Sequence, residues 1–424
     1  MKILQIHNEY TLAGGEDTIS DTEYDLLTHA DHEVARVRVR NVEHSLTAVR
    51  SYAVAPYNLV QYSSIRARVR AFNPDVAHVH NTWFRLTPSI FHALHAERVP
   101  TVMTLQNFRL MCAEGKLYRN GRRCTLCVGR HPWRAVRYSC YRDSMPASLV
   151  AAATIAVNRR LRTWDLIDRF FAPSEFVKDL FVQGGFEPHR IVVKPNVVPD
   201  PGPRSMPPSA SEKLLYVGRL AREKGPDVLL DAWREAAPRV PRLELVLIGD
   251  GPMRTSLART APERVRLLGW VDPAEIHEHM LSARALVFPT QWSENFGRSI
   301  VEAMAAGLPV LASNIGTPAE LVGELGSQWL VEPHDPQCWA DALARLEDDE
   351  AIDDAGRRAR KLFELKYTPE VGLRRLIETY EAVLSRPVPP ATRQPTGWEP
   401  QTSLPEIVTD ASQHDVRGGE GRTP

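Results

Sequence analysis

Long apolar runs are missing from this 424-residue sequence, so no segment reads as a bilayer-spanning helix. Cysteine is scarce, and five in a chain this long argue against a disulfide scaffold. There is no excess of one charge. The 52 Lys and Arg balance 52 Asp and Glu, which gives no support to a nucleic-acid partner. The apolar start at Met1–His7 is too short for an export signal and runs into a polar loop. These absences leave a cytoplasmic enzyme as the expectation. What is present is ordinary for a globular protein, 43% hydrophobic and 25% charged, with enough chain for two full cores. Arginine does cluster locally, at Arg36, Arg38 and Arg40 and again from Arg119 to Arg137.

Strand-like and helix-like stretches alternate from the start. Ile3–Ile6 reads as a buried strand, followed by a loop with Gly14-Gly15-Glu16 and a helix from Asp17 to His29. Paired glycines after a first strand let backbone approach a ligand closely, often a phosphate. This is not the GxGxxG fingerprint, and a plain turn fits equally. Strands at Val34–Val39, Val76–His80 and Pro100–Leu105 alternate with helices at Leu59–Phe72 and Ser89–Arg98. That order implies a parallel sheet wound on both faces, with ligands beyond the carboxyl ends of its strands. His80, Asn81, Gln106 and Asn107 fall there, although His80 also reads as a loop histidine with one backbone hydrogen bond. A helix at Pro146–Arg162, a strand at Arg169–Ala172, a helix at Glu175–Gln183 and a strand at Ile191–Val193 close a domain spanning 1–197. The Pro- and Ser-rich stretch 198–212 is a linker by composition.

Residues 107–144 interrupt the alternation. They carry Cys112, Cys124, Cys127 and Cys140, with Cys124 and Cys127 in a CxxC. Such spacing suits a structural Zn²⁺ that would clip an irregular insertion, and it equally suits free thiols, with a disulfide as the third reading. The insertion is rich in Arg, Tyr and Trp, which suits contact with an anionic or lipid-linked acceptor or simply a solvated basic loop.

A second alternating series fills 213–368. Leu214–Val217 is followed by a loop carrying Arg219 and Lys224, whose two cations can offset a diphosphate. Leu245–Ile248 ends in Gly249-Asp250-Gly251-Pro252, and Val265–Leu268 ends in Gly269-Trp270-Val271. The apolar run Ala285–Phe288 leads into Ser293-Glu294-Asn295-Phe296-Gly297-Arg298, and a helix follows to Ala306 with Gly307 at its C-cap. Glu294 precedes this helix and Glu302 lies about two turns in. Between them are the unpaired amides of a helix start, which bind anions. Two carboxylates around an anion site suit a ligand with a diphosphate centre and polyhydroxyl ends, such as a nucleotide sugar. Alone, the two also read as surface glutamates. An amphipathic helix at 369–385 should return to a domain, expected to be the first, and the Pro-, Gly- and Ser-rich tail 386–424 reads as disordered.

These motifs together resemble the family-4 glycosyltransferases. They are Tyr216–Gly225, Ile248–Pro252, Leu268–Val271 and Glu294–Gly307, in order and with the E-x7-E pattern on Glu294 and Glu302. The resemblance runs from Met1 to about Leu384. It implies a GT-B fold, two doubly wound α/β Rossmann-like domains facing across a cleft, and a retaining transfer from a nucleoside-diphosphate sugar. It implies that Glu294 meets the donor sugar, Glu302 the ribose, and Arg219 and Lys224 the diphosphate. Gly14 and Gly15 would close over the phosphates. Gly249, Gly251, Pro252, Gly269, Trp270 and Val271 would flank the base, with Asn295, Phe296, Gly297 and Arg298 beside them. A saccharide or lipid-linked acceptor would bind the first domain, near His80, Asn81, Gln106 and Asn107. No metal is needed for transfer. The setting implied is bacterial surface-polysaccharide or glycolipid assembly, with peripheral membrane contact at the inner face. One departure stands out. Relatives tend to carry His-Asn where this chain has Gln106-Asn107, and Gln cannot act as a general base. A nucleotide-sugar epimerase and a non-catalytic scaffold remain the competing readings.

Overall fold

In the computed structural model, which describes residues 1–11, 14–41 and 52–385, the short apolar runs form strands covered on both faces. The first half contributes β1 (Lys2–Glu9), β2 (Glu33–Arg40), β3 (Val76–Asn81), β4 (Thr101–Thr104), a small hairpin of β5 (Tyr118–Arg119) and β6 (Arg122–Arg123), then β7 (Arg169–Ala172) and β8 (Ile191–Val193). Its main sheet runs β2-β1-β3-β4-β7-β8, with every pair parallel. Parallel neighbours need crossovers, supplied by α1 (Gly15–His29), α2 (Leu59–Phe72), α3 (Ser89–Ala96), α4 (Arg134–Arg137), α5 (Met145–Arg160) and α6 (Glu175–Gln183).

The second half repeats the plan. Strands β9 (Lys213–Val217), β10 (Glu244–Ile248), β11 (Val265–Gly269), β12 (Ala285–Phe288), β13 (Val310–Ser313) and β14 (Leu330–Val331) line up as β11-β10-β9-β12-β13-β14. Around them lie α7 (Pro226–Ala236), α8 (Arg254–Thr260), α9 (Pro273–Leu281), α10 (Arg298–Ala305), α11 (Gly316–Gly323), α12 (Pro336–Ala344), α13 (Asp349–Lys366) and α14 (Pro369–Leu384). In each sheet the order reverses beside the first strand, at β1/β3 and at β9/β12. Crevices open at such reversals because the following loops leave in opposite directions. The loop after β1 carries Gly14, and β3 ends at Asn81. Those after β9 and β12 carry Lys224 and Glu294.

Named contacts join the halves. The Glu320 carboxylate on α11 accepts from the backbone N–H of Glu175 (3.0 Å) and Phe176 (2.8 Å), so it caps α6 from across the boundary. Ser174 and Thr317 hydroxyls meet at 2.8 Å. The Asn295 amide donates to the Leu105 carbonyl at 2.9 Å. The last helix, α14, returns to the first half and buries Leu376, Tyr380 and Val383 among Ile3, Leu27, Val76, Val102 and Phe171. The segment 386–424 lies outside the described residues.

Under α14 sits a buried polar knot. Lys194 Nζ and a Glu23 carboxylate oxygen are 2.6 Å apart, with their side chains 1% and 2% exposed. The Tyr380 hydroxyl meets His78 Nδ1 at 2.7 Å, and Thr104 Oγ1 meets His78 Nε2 at 2.7 Å. Burial, reinforced by Lys194, pushes the His78 pKa down to about 3. Burial and then His78 push His80 well below its ordinary value.

Two outcomes follow for stability. Lys194→Met leaves the Glu23 carboxylate buried without a counter-charge and should cost about 3–5 kcal/mol. Urea unfolding should recover much of that loss in Glu23→Gln/Lys194→Met, the test of a true pair. The buried histidines act in the other direction on pH. An unfolded chain protonates them below about 6.5, whereas folded His78 stays neutral to about 3, so stability should fall as pH drops through that window. His78→Gln should flatten that fall in a pH series of thermal melts.

Candidate functional site at the two switch points

Lys224 reaches Glu294 because two loops are stitched together. The Glu223 carbonyl accepts from Gln291 N at 2.9 Å and from Thr290 Oγ1 at 3.2 Å. Gly225 makes this approach feasible. Its φ is +68°, and a Cβ there would stand 2.0 Å from the Pro289 carbonyl oxygen. With the loops so joined, Lys224 Nζ contacts a Glu294 carboxylate oxygen directly and lies 5.5 Å from the Trp292 ring centre. Trp292 Nε1 donates to the same oxygen at 2.9 Å. The Glu294 side chain is 9% exposed and that of Lys224 23%, so the pair sits in a partly dry crevice.

A second pair lies one helix turn on. Gly297 is the N-cap of α10, and Arg298 Nε sits 2.9 Å from a Glu302 carboxylate oxygen. Arg219, 55% exposed at its side chain, contacts Glu223. The other oxygen contact to Glu223 comes from the first half: Lys116 Nζ is 3.3 Å away. Burial alone would raise the Glu223 pKa. Its backbone amide, Lys116 and Arg219 outweigh that and hold it below the usual carboxylate value. Behind these loops, Gly249 has φ +142° and a Cβ there would be 1.9 Å from the Gly218 carbonyl. The loop 249–253 is further tied by Leu220 N to the Asp250 carbonyl (2.9 Å) and Met253 N to the Leu220 carbonyl (3.0 Å). Gly251 and Pro252 are therefore packed at the same strand ends as Arg219. Trp270, by contrast, is 70% exposed.

The first half offers a small open indentation whose lining includes His80, Asn81, Gln106 and Asn107. The expected acceptor-side residues thus converge, but not equally. His80 is 1% exposed, its Nε2 3.3 Å from the Gln5 amide, so it is part of the floor. Asn81 is structural: its amide donates to the Asn8 carbonyl at 2.9 Å and its oxygen accepts from Trp83 N at 3.0 Å. Gln106 pairs with Asn196 at 3.3 Å. Asn107 Nδ2 donates to Glu16 Oε1 at 3.0 Å, just past Gly14 and Gly15. Burial raises the Glu16 pKa against the bonds from Asn107 and Tyr10. Arg109 closes this side, 5.2 Å from the ring centres of Trp83 and Tyr141. Lys116, Glu16, Trp292 and Arg109 were not singled out by sequence. Lys116 and Arg109 lie in the irregular insertion, where no periodicity ranks one cation above another.

No disulfide joins Cys112, Cys124, Cys127 and Cys140. Burial raises the Cys112 pKa, partly offset by the amides of Leu117, Gly115 and Glu114, which point at its sulfur. Cys124 N donates to the Leu117 carbonyl at 2.8 Å, which draws Cys124 toward the same turn. Burial, then the neighbouring thiols, push Cys127 and Cys140 to about 11. Among the described residues, three donor side chains drawn within 4.8 Å of one another are Glu23, His78 and His80, not these thiols. Lys194 and Tyr380 already occupy that trio.

Comparison with known proteins bears on the family and the fold. Residues 204–362 match the family described as Glycosyl transferases group 1, and residues 20–200 match Glycosyltransferase Family 4. The chain belongs to the family-4 glycosyltransferases. It is 34% identical over 205 residues to a D-inositol 3-phosphate glycosyltransferase of Corynebacterium urealyticum, covering 45% of this chain and 48% of that one. It is 26% identical over 144 residues to a 2-deoxystreptamine N-acetyl-D-glucosaminyltransferase of Niallia circulans, covering 33% and 37%. The matches thus span about half or less of these relatives. In fold, it resembles Anabaena HepE in complex with UDP (TM-score 0.63, 17% identity, 90% of this chain and 100% of that one). It also resembles a sucrose-phosphate synthase of Thermosynechococcus elongatus (TM-score 0.63, 16% identity, 91% and 100%). Those neighbours are GT-B glycosyltransferase folds, and this family-4 member shares their two parallel α/β halves.

Gly225→Ala tests the stitched loops. The new Cβ meets backbone, not a movable side chain, so Lys224 should shift and nucleotide affinity should fall at least about tenfold, near 1.4 kcal/mol. Gly323→Ala is the control, since a Cβ there would meet only the Leu330 side chain, at an ordinary 3.7 Å. Calorimetric titration of nucleoside diphosphates distinguishes the two variants.

Proposed function

We propose that this family-4 member transfers a sugar, with retention, from a nucleoside-diphosphate sugar to a saccharide or lipid-linked acceptor. The proposed setting is surface polysaccharide or glycolipid assembly at the inner face of the membrane. One observation carries the reading: two acid–base pairs, Lys224–Glu294 and Arg298–Glu302, flank one helix start at the carboxyl edge of the second sheet. Each pair can open to present a cation to phosphate and a carboxylate to hydroxyls. That dual demand is what a diphosphate between two polyols makes. The names of the similar proteins, which include glycosyltransferases and a protein bound to UDP, support the same class.

In the proposed reaction the bond from the sugar C1 to the diphosphate oxygen breaks and a C1–acceptor oxygen bond forms on the same face. The acceptor proton passes to the leaving diphosphate oxygen, so no side-chain base is required, and Gln106 at the acceptor side is compatible with that. Arg219, Lys224 and the amides at Gly297 meet the charge that develops on the leaving group. Glu294 orients the sugar. Contact between the halves keeps water from the donor.

Incubation with UDP-, GDP- and ADP-sugars should show turnover with one base. Arg219→Ala and Lys224→Ala should each lower kcat roughly 10²-fold. Glu302→Gln should raise donor KM with a smaller effect on kcat. Retention of configuration at C1 is read from the product by NMR. Full activity in the lysine and arginine variants would refute the site.

A further inference from the structure

Arg109 is a cation held firmly in place with no acid to meet it. Its backbone N–H donates to Asn107 Oδ1 at 3.0 Å, and its Nη1 donates to the Ala113 carbonyl at 3.2 Å. Its guanidinium lies 5.2 Å from the ring centres of both Trp83 and Tyr141, which are pinned together by Trp83 Nε1 donating to the Tyr141 hydroxyl at 3.0 Å. Gly115, at φ +79°, packs on the stem so closely that a Cβ there would stand 2.7 Å from Arg109 Cγ. The two acids of its neighbourhood are engaged elsewhere: Glu114 pairs with Lys116 at 3.5 Å, and Glu16 takes Asn107 at 3.0 Å. Among the described residues, no carboxylate forms an ion pair with Arg109. An enclosed charge is ordinarily paired, so a fixed and unpaired one marks a place for an anion from outside.

The wall around Arg109 makes the same demand. Arg109 lines the acceptor-side indentation together with His80 and Trp164. Each of these three side chains keeps one enclosed nitrogen without a partner: Arg109 Nε, Trp164 Nε1 and His80 Nδ1. The first two are N–H donors. Hydrogen bonding assigns the third. The Gln5 amide nitrogen donates to the Ser20 carbonyl at 2.8 Å and to His80 Nε2 at 3.3 Å, while the Glu23 oxygen stays beyond hydrogen-bond reach of that atom at 3.6 Å. The imidazole proton therefore sits on Nδ1. Of the lining residues, Thr104 meets His78, Thr154 donates to the Val150 carbonyl, and Gln106 pairs with Asn196. No enclosed side-chain oxygen of the wall is left unpartnered among the described residues. The wall thus offers three spare donors.

A ligand group suited to that wall accepts hydrogen bonds without donating any. A hydroxyl would bring a proton of its own for which no enclosed oxygen is free. A carboxylate brings only acceptor oxygens, in a plane that fits a guanidinium fork. The charge count agrees. Arg109 is the one cation of the lining, because burial and then His78 hold the His80 pKa well below its ordinary value and keep that ring neutral. One positive charge balances a monoanion and leaves a phosphate dianion half unpaired. Met103, Leu110, Ala151 and Ile155 supply the apolar remainder of a small recess. We propose that the indentation is an acceptor subsite for a sugar carboxylate, as on a uronic acid, and that Arg109 is the residue that selects it. The subsite's role as acceptor site rests on the transferase reading above, while its preference for a carboxylate stands on the wall itself.

Saturation-transfer NMR titration of the full chain with methyl glucuronoside, methyl glucoside and glucose 6-phosphate tests it. The wild type should bind the glucuronoside at least about tenfold more tightly than the glucoside, the scale of a charge-assisted hydrogen bond. Arg109→Gln should abolish that ratio. Arg109→Lys keeps the charge without the planar fork and should restore part of it. A loss of packing alone would weaken both glycosides together and leave the ratio standing. Equal binding of the two glycosides by the wild type, no binding of the glucuronoside, or a ratio that survives Arg109→Gln would overturn the proposal. Tighter binding of glucose 6-phosphate than of the glucuronoside would overturn it too, since the wall would then select phosphate. Calorimetry with nucleoside diphosphates on the same chain separates the two readings. Nucleotide binding without a carboxylate preference removes the subsite alone. A carboxylate preference without nucleotide binding removes the transferase reading alone.

Discussion

Lys224 and Glu294 touch each other, and much of the second half exists to hold them at that contact. The ammonium comes from the loop after β9 and the carboxylate from the loop after β12, neighbouring strands of one sheet. Neither loop could place its residue alone. Gly225 must accept a positive φ against the Pro289 carbonyl, and Trp292 holds the same carboxylate oxygen that Lys224 contacts. A pair made this way is self-neutralising, so the crevice does not carry an exposed buried charge before ligand arrives. In the proposed reaction the pair is also the device that recognises the donor. A diphosphate alone takes the lysine and strands the glutamate. A polyol alone takes the glutamate and strands the lysine. A ligand with both, at the right spacing, satisfies both.

Glu223 extends this constraint to the whole molecule. Its carbonyl ties the two loops, while its carboxylate receives Arg219 from one half and Lys116 from the other. Arg219, which the proposed reaction offers to the donor, is thus held by the same residue that bridges the halves. Movement of one half against the other alters what Glu223 must share between the two cations. Glu320 at the start of α6 and Asn295 on Leu105 reinforce the contact from two further points. The halves are joined at the crevice through hydrogen bonds and ion pairs with named partners.

The sheets were legible because their strands are apolar runs bounded by glycine and polar loops, and the alternation with helices sets the parallel order. Glu294 and Glu302 were legible because their spacing straddles a helix start, a local feature. Contacts between distant segments were not. Nothing in the neighbourhood of Lys116 says that it meets Glu223, a residue 107 positions away. Nothing near Lys194 says that it is buried on Glu23, 171 positions away. His80 shows the opposite failure. Its place at a strand end suggests an accessible ligand group, but a strand covered on both faces buries its last residues too, and the ring belongs to the floor. The cysteines fall between these cases: the chain brings Cys112 and Cys124 to one turn through Leu117, whereas spacing alone leaves that convergence open.

Zero net charge is an average over two different arrangements of cations. In the crevice each one has a carboxylate: Lys224 has Glu294, Arg298 has Glu302, and Arg219 has Glu223. Their attraction for a distant anion is cancelled at short range, so they act only on a ligand that displaces the carboxylates. Such sites discriminate by exchange of partners and steer weakly. Around α4 and α5 residues 119–162 contain ten arginines and one acid, and Arg162 reaches a second acid, Asp165, just beyond them. The cations of the second half's crevice are thus each paired with a carboxylate, whereas arginines outnumber acids along residues 119–162 of the first half. The helix α5 has one face toward solvent and the other lining the indentation of the first half.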